Sequence, residues 1–213
     1  MSKRELLNDL KKRMEDDKSL PLRTGATQLV FGEGNPDAQV YFLGEAPGYY
    51  EDREGRPFVG QAGKLLDQLI ESIGFSRSEV YISNVVRFRP PANTDPEPDE
   101  IAAFSAYVDE EIEIINPRII VTLGRFSMAK FLPDTKISAV HGKVYKVGWN
   151  NKKQVVVPMY HPAAALRSTA ILVAIKGDFQ IIKKALNDDL EFMEKDAGAD
   201  DVKDEGKQLD LFI

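Results

Sequence analysis

The chain of 213 residues and 23.8 kDa is long enough for one domain with its own core and a short appendage. Its composition, 43% hydrophobic and 29% charged, is typical of a soluble globular protein. Because no apolar run approaches the ~20 residues that span a bilayer, the sequence excludes a membrane protein. Cysteine is absent and only two histidines occur, which excludes disulfides, thiolate-bound metals, iron–sulfur clusters and a multi-histidine metal site.

The formal net charge of −6 is distributed unevenly. Residues 188–213 carry ten acidic and three basic residues, whereas residues 1–187 carry 24 acidic and 25 basic ones. The body of the protein therefore has a balance of +1, which leaves room for a basic face and a nucleic-acid partner. The first residues lack a basic segment followed by an apolar one, so we expect a cytoplasmic protein.

Helical and strand-like apolar patterns alternate along the chain. Apolar residues at helical spacing predict a helix over 2–16 with Ser2 as its N-cap, and further helices over 61–73, 98–115, 125–132 and 170–194. Short, two-faced apolar runs predict buried strands at 40–43, 80–82, 119–123 and 155–157. We therefore predict an α/β fold with three α/β/α layers around a central, mostly parallel four-stranded sheet.

Polar side chains follow each predicted strand, where an open parallel sheet places its ligand site. Glu45 and Ala46 follow the first strand, Asn84 the second, Arg125 the third and His161 the fourth. An acid, an amide and an imidazole therefore converge on one edge of the sheet. Such a set of groups can bind and polarise a hydrogen-bonding heterocycle.

Three separated motifs carry a resemblance to a known family. They are GEAPGYYEDREGRPFVGQAG at 44–63, NVVRFRPP at 84–91 and HPAA at 161–164. In this order, each at a strand end, they closely resemble the family 4 uracil-DNA glycosylases over about Leu20 to Leu186. The resemblance implies that the chain hydrolyses the N-glycosidic bond of deoxyuridine in DNA and leaves an abasic site.

The resemblance also implies roles for single residues in the pocket. Phe58 stacks on the extruded uracil, Asn84 hydrogen-bonds its polar edge, and Ala46 lies against the base. His161 donates to uracil O2 as negative charge develops on the departing base. Glu45, and secondarily Glu51, are the carboxylates that stabilise an oxocarbenium-like sugar or position the attacking water, and the sequence does not decide between them.

Each of these residues also has a structural interpretation. Phe58 is then a core plug, Asn84 caps a turn, and Glu45 caps a helix. Glu51 belongs to a solvated loop face, and His161 is a hydrogen-bonded histidine before a proline turn.

Further residues on the same edge are candidates for DNA contacts. Leu166 lies where an apolar wedge would fill the gap left by an extruded nucleotide, although it equally fits a residue that begins a helix and points into the core. Phosphate contacts are expected from four arginines: Arg87, Arg89, Arg125 and Arg167.

The chain departs from the family where the family binds a [4Fe–4S] cluster. The four expected cysteine positions are occupied by Asp17, Leu20, Phe88 and Phe104. We expect no cofactor, and we predict that Phe88 and Phe104 pack together in the vacated volume.

The last part of the chain differs in composition from the rest. We expect a glycosylase domain over residues 1–194 and an acidic, disordered tail over 195–213. The tail holds a segment that matches the bacterial sliding-clamp binding pentapeptide in every position: Gln208, Leu209, Asp210, Leu211 and Phe212. The alternative is a terminal strand that docks on its own sheet.

We therefore expect a monomeric uracil-DNA glycosylase that is associated with the nucleoid, does not contact membranes, and has uracil-containing DNA and a sliding clamp as partners. Two other functions fit the same residues. One is a non-catalytic protein that senses uracil in DNA, and the other is a hydrolase of free nucleosides. Activity on uracil-containing oligonucleotides, compared with free deoxyuridine, separates the three.

Overall fold

A computed structural model describes residues 1–187 and 193–194 of the chain. Its helices and strands, in chain order, are α1 (Lys3–Asp16), β1 (Glu33–Gly34), β2 (Val40–Gly44), α2 (Tyr49–Glu54), α3 (Gln61–Ser72), β3 (Tyr81–Asn84), α4 (Pro98–Ile115), β4 (Ile119–Leu123), α5 (Arg125–Ala129), α6 (Ile137–Val140), β5 (Tyr145–Trp149), β6 (Lys152–Met159), α7 (Pro162–Ala165), α8 (Thr169–Leu186) and β7 (Met193–Glu194).

The strands form one sheet with the order β1-β3-β2-β4-β6-β5-β7. Its four central strands, β3, β2, β4 and β6, run parallel and coincide with the four predicted apolar runs. Strand β1 pairs antiparallel with β3, and β5 pairs antiparallel with β6. The prediction of a mostly parallel central sheet is confirmed, and the described part of the chain adds three further strands, β1, β5 and β7, that lack a continuous apolar run.

Alternating side chains of the central strands feed two hydrophobic cores, one on each face of the sheet. Tyr41 and Leu43 belong to the core that includes the buried residues of α1 and α4. Val40 and Phe42 belong to the opposite core, which includes the buried residues of α3 and α8. The three predicted layers, helices, sheet and helices, are therefore confirmed.

The predicted helices are present, with differences at their ends. Ser2 caps α1 as predicted, because its hydroxyl accepts from the Glu5 N–H while the Glu5 carboxylate accepts from the Ser2 N–H. Helix α8 ends at Leu186, so the predicted end at residue 194 is wrong. Lys183 and Lys184 in its last turn favour the negative end of the helix dipole.

The structure shows what occupies the four positions at which the resemblance implies cluster-binding cysteines. Phe88 and Phe104 lie with ring centroids 6.1 Å apart, which confirms that they pack together. Leu20 belongs to the same core, and the Arg23 guanidinium lies 4.9 Å from the Phe88 ring centroid. Asp17 accepts a hydrogen bond of 2.8 Å from the Tyr107 hydroxyl.

These residues do not fit an iron–sulfur cluster. Leucine and phenylalanine side chains offer no ligating atom, and the volume that they occupy is part of the hydrophobic core. Nor do the described residues elsewhere bring together three or more acidic or imidazole groups able to hold a metal ion.

Residues 1–187 and 193–194 include no helix that combines the length and the apolar composition needed to cross a bilayer.

The packed aromatic pair makes a stability prediction. Phe104 is fully buried, so Phe104→Ala should lower the free energy of unfolding by ~3–5 kcal/mol, measured by chemical denaturation. Val173→Ala, at a side chain that is 68% exposed, serves as the control and should change it by no more than about 0.5 kcal/mol. A neutral Phe104→Ala variant would mean that this ring does not support the core.

Candidate active site

The register of the parallel strands brings four polar segments to one edge of the sheet. Gly44 pairs with Asn84 across β2 and β3, and Leu123 pairs with Met159 across β4 and β6. The loop after β2 is bonded to the next strand end, because the carbonyl groups of Gly44 and Glu45 accept from the N–H groups of Val85 and Val86, both at 3.1 Å. The residues at the ends of β2, β3, β4 and β6 therefore form one continuous surface, the floor of the site.

Two glycines let the side chains of this floor approach each other. A β-carbon at Gly44 would lie 2.4 Å from Asn84 Oδ1 and 2.5 Å from Phe58 Cε2. Gly124 has a φ of 95°, and a β-carbon there would lie 3.2 Å from the β-carbon of His161. Asn84, Phe58 and His161 therefore meet above two positions that accept only glycine.

Phe58 is held in an uncommon backbone conformation at the centre of the site. Its φ is 52°, in the left-handed region that non-glycine residues rarely adopt. Its ring is buried, with its centroid 5.6 Å from that of the His161 ring and the two planes 29° apart. Arg77 stabilises this loop by donating to the Phe58 carbonyl at 3.1 Å. Sequence reasoning did not identify Arg77, and no motif signals it.

Glu51 connects the two loops that flank the site. Its carboxylate accepts backbone hydrogen bonds from Gly48 at 3.1 Å, Val59 at 2.9 Å and Gly60 at 2.8 Å. The interpretation of this segment as a solvated loop face is wrong, because the Glu51 carboxylate is bonded to backbone N–H groups and Asp52 is buried and accepts from Thr27. Glu51 thus positions the Phe58 loop, and its catalytic role stays a prediction.

The Glu45 carboxyl group is partly buried at the same edge. Burial raises its pKa to about 7, the negative charge of Asp95 adds to the rise, and the positive charge of Arg125 opposes it. A carboxyl group with this pKa is present in both protonation states at neutral pH, as general acid–base chemistry requires.

Asn84 is buried with an unsatisfied carbonyl group. Its side chain is 2% exposed, and no group in the described residues donates to Oδ1. Leaving a buried acceptor unpaired costs roughly 1–3 kcal/mol. The interpretation of Asn84 Oδ1 as the cap of a turn has no support here, and an acceptor in this state is a feature of a ligand site.

The His161 ring is a neutral hydrogen-bond donor. Its Nδ1 accepts from the Ala163 N–H at 3.1 Å, so the proton of the neutral ring is on Nε2. Burial lowers the pKa of His161 to about 4, against a smaller opposing effect of Glu51. At neutral pH the ring therefore offers Nε2–H without carrying a positive charge.

The comparisons with known proteins agree with this geometry. The family model of the uracil DNA glycosylase superfamily matches residues 31–189. The chain belongs to this superfamily. It is 46% identical over 184 residues to the Type-4 uracil-DNA glycosylase of Sulfurisphaera tokodaii, with 84% of each chain covered. Identity to the Type-4 enzyme of Archaeoglobus fulgidus is 43% over 184 residues, covering 84% of this chain and 92% of the relative. The Thermotoga maritima Type-4 enzyme is 41% identical over 167 residues, which cover 78% of this chain and 86% of the relative.

The predicted contact between Arg87 and a DNA phosphate is wrong. Arg87 is fully buried and donates to the Glu111 carboxylate at 2.7 Å, so it cannot reach a phosphate. The same carboxylate accepts from the Tyr41 and Tyr81 hydroxyl groups. The sequence contained a signal for this pair, because Glu111 lies three residues after Val108 and four before Ile115 on the apolar face of α4.

The other candidates for DNA contacts lie at the surface or near it. Leu166 is 52% exposed, so the interpretation that it points into the core is wrong. Arg167 is exposed as well, and Arg125 forms an exposed ion pair with Asp95. Arg89 is partly exposed and donates to Asn93 at 2.7 Å. Their contacts with DNA stay predictions.

Proposed function

We propose that the chain is a uracil-DNA glycosylase that hydrolyses the bond between N1 of uracil and C1′ of deoxyribose in DNA. The observation that carries the proposal is the meeting of Asn84, Phe58 and His161 at the strand ends, with an unpaired amide oxygen and a neutral ring N–H. The Type-4 uracil-DNA glycosylases at 41–46% identity support it.

Recognition of uracil follows from the donors and acceptors of Asn84. The unpaired Oδ1 accepts from uracil N3–H, and the amide N–H₂ donates to O4. Cytosine presents an acceptor at N3 and a donor at position 4, so both contacts would be lost and buried groups left unpaired. The Phe58 ring supplies the apolar face against which an extruded base stacks.

Cleavage follows from His161 and Glu45. When the bond to C1′ breaks, its electron pair stays on the uracil, and the Nε2–H of His161 donates to O2 where negative charge accumulates. Because His161 is already neutral, it stabilises this charge without protonating the base beforehand. The ionised Glu45 faces the positive sugar and accepts a proton from the water that adds to C1′.

The first test is excision from oligonucleotides that contain one deoxyuridine, in single- and double-stranded form, with free deoxyuridine alongside. The parental chain should release uracil from the oligonucleotides and not from the nucleoside. His161→Ala should slow release by roughly 10²- to 10³-fold, the range for one lost transition-state donor. Asn84→Asp should weaken discrimination between uracil and cytosine.

Three outcomes of this test would contradict the proposal. Binding without release would identify a non-catalytic sensor of uracil. Cleavage of free deoxyuridine at the same rate would identify a nucleoside hydrolase. Parental excision by a folded His161→Ala variant would mean that the pocket is assigned incorrectly.

The raised pKa of Glu45 predicts the pH dependence of kcat/KM. Below about pH 7 the Glu45 carboxyl group is protonated, so kcat/KM should fall roughly tenfold per pH unit as the pH decreases. This fall is the acidic limb of the pH profile. Asp95→Asn removes a negative charge that raises the Glu45 pKa, and should move this limb to lower pH. Glu45→Gln should be slow and should lose the limb. A limb that persists unchanged in Glu45→Gln would assign it to another group.

We also propose that residues 208–212, which lie outside the described residues, bind a sliding clamp, and that the enzyme acts as a monomer. The match to the clamp-binding pentapeptide supports the first proposal, and the origin of all pocket residues in one chain supports the second. A balance of only +1 over residues 1–187 gives little long-range attraction to DNA, so concentration by a ring on DNA would raise the encounter rate.

Deletion of residues 208–213 tests the clamp proposal. The truncated chain should lose binding to the purified clamp and keep its rate of excision on short oligonucleotides. The double variant Leu211→Ala, Phe212→Ala should behave in the same way, because these side chains would fill the apolar pocket of the partner. If truncation instead lowers stability or the intrinsic rate, the segment belongs to the fold.

A further inference from the structure

Helix α2 presents two adjacent tyrosines to solvent beside the active site. Tyr49 is 46% exposed and Tyr50 is 59% exposed, whereas the other five tyrosines of the chain are buried or partly buried. The two rings meet edge to face, with centroids 5.4 Å apart and planes at 82°. Exposed aromatic side chains held in a fixed geometry are a feature of binding surfaces.

The tyrosines lie beside the loop that carries Phe58. They directly follow the loop that carries Glu45, and the next residue, Glu51, accepts from the N–H groups of Val59 and Gly60. A β-carbon at Gly60 would lie 3.4 Å from Tyr50 Cδ2, so the Tyr50 ring borders the loop only two residues after Phe58.

Two cations accompany this aromatic pair. The Arg53 guanidinium lies 5.7 Å from the Tyr49 ring centroid and donates to the Tyr49 hydroxyl at 3.0 Å. The Arg89 guanidinium lies 5.2 Å from the same centroid. An aromatic face combined with positive charge is what surfaces that bind single-stranded nucleic acid present to bases and phosphates.

We propose that Tyr50 is a stacking platform for a nucleobase adjacent to the extruded nucleotide in the same strand. Extrusion of one nucleotide removes the stacking partner of its neighbours, and the exposed Tyr50 ring beside Gly60, two residues after Phe58, replaces that partner. Tyr49, bonded to Arg53, supports the Tyr50 ring from its side, and Arg89 contacts the adjoining phosphate. This inference rests on the proposed function, since it assumes that DNA enters the pocket.

The proposal implies a preference for unpaired strands. In a duplex the neighbouring bases stay paired with the opposite strand, which holds them in the helix, whereas in a single strand they are free to stack on the protein. Loss of the platform should therefore weaken binding to single strands more than binding to duplexes.

The test compares the parental chain with Tyr50→Ala and Tyr50→Phe on single-stranded oligonucleotides that contain one deoxyuridine. One set of oligonucleotides has thymine on both sides of it, and the other has tetrahydrofuran abasic residues there. On the thymine set, Tyr50→Ala should raise KM and Kd by roughly 5- to 100-fold with kcat unchanged, and Tyr50→Phe should retain the parental values. On the abasic set, the parental chain and Tyr50→Ala should be equal. Val173→Ala, at an exposed residue of α8, should match the parental chain on both sets.

Two results would overturn the platform. One is an equal KM for the parental chain and Tyr50→Ala on the thymine set. The other is an equal loss on both sets, which would show that Tyr50 acts on the loop and not on a base. Absence of excision by the parental chain on every oligonucleotide would instead refute the proposed function, and the Kd values of the two sets would still decide whether Tyr50 stacks.

Discussion

The site depends on the register of the parallel sheet. Hydrogen bonding places Gly44 opposite Asn84 and Leu123 opposite Met159, so the strands end at one level and the groups that follow them share one edge. A slip of one residue would turn each of these side chains to the other face of the sheet. The register is secured by packing on both faces, because β2, β3 and β4 are buried along their whole length.

Buried polar groups then fix the loops to this frame. The Arg87–Glu111 pair lies beneath β3, where Tyr41 and Tyr81 also donate to the carboxylate. Removal of one partner from such a pair leaves an uncompensated buried charge, so the pair resists rearrangement close to Asn84. Glu51 also fixes a loop, because its three backbone hydrogen bonds hold the Phe58 loop against the start of α2.

Sequence reasoning predicted the central sheet, the main helices and the placement of Asn84 and His161 at one edge of the sheet, because apolar periodicity and strand ends are properties of local sequence. It erred for Arg87, because the partner that draws this side chain inward is Glu111, more than twenty residues away. It also missed Arg77, whose contact with the Phe58 carbonyl depends on how two loops pack. Errors of this kind arise where long-range pairing decides the direction of a charged side chain.

One environment produces opposite effects on the two titratable groups of the site. Burial disfavours charge, so it raises the pKa of Glu45 to about 7 and lowers that of His161 to about 4. At neutral pH, His161 is therefore a neutral ring that can donate a hydrogen bond. The fraction of Glu45 that is ionised changes steeply with pH in the same range. The hydrophobic pair Phe88–Phe104 stabilises the fold on the face of the sheet where α1 and α4 pack. This pair packs in the core that includes α1 and α4, whereas Glu45 and His161 lie at the carboxyl ends of the central strands, so stability and the polar groups of the site are supplied by different residues.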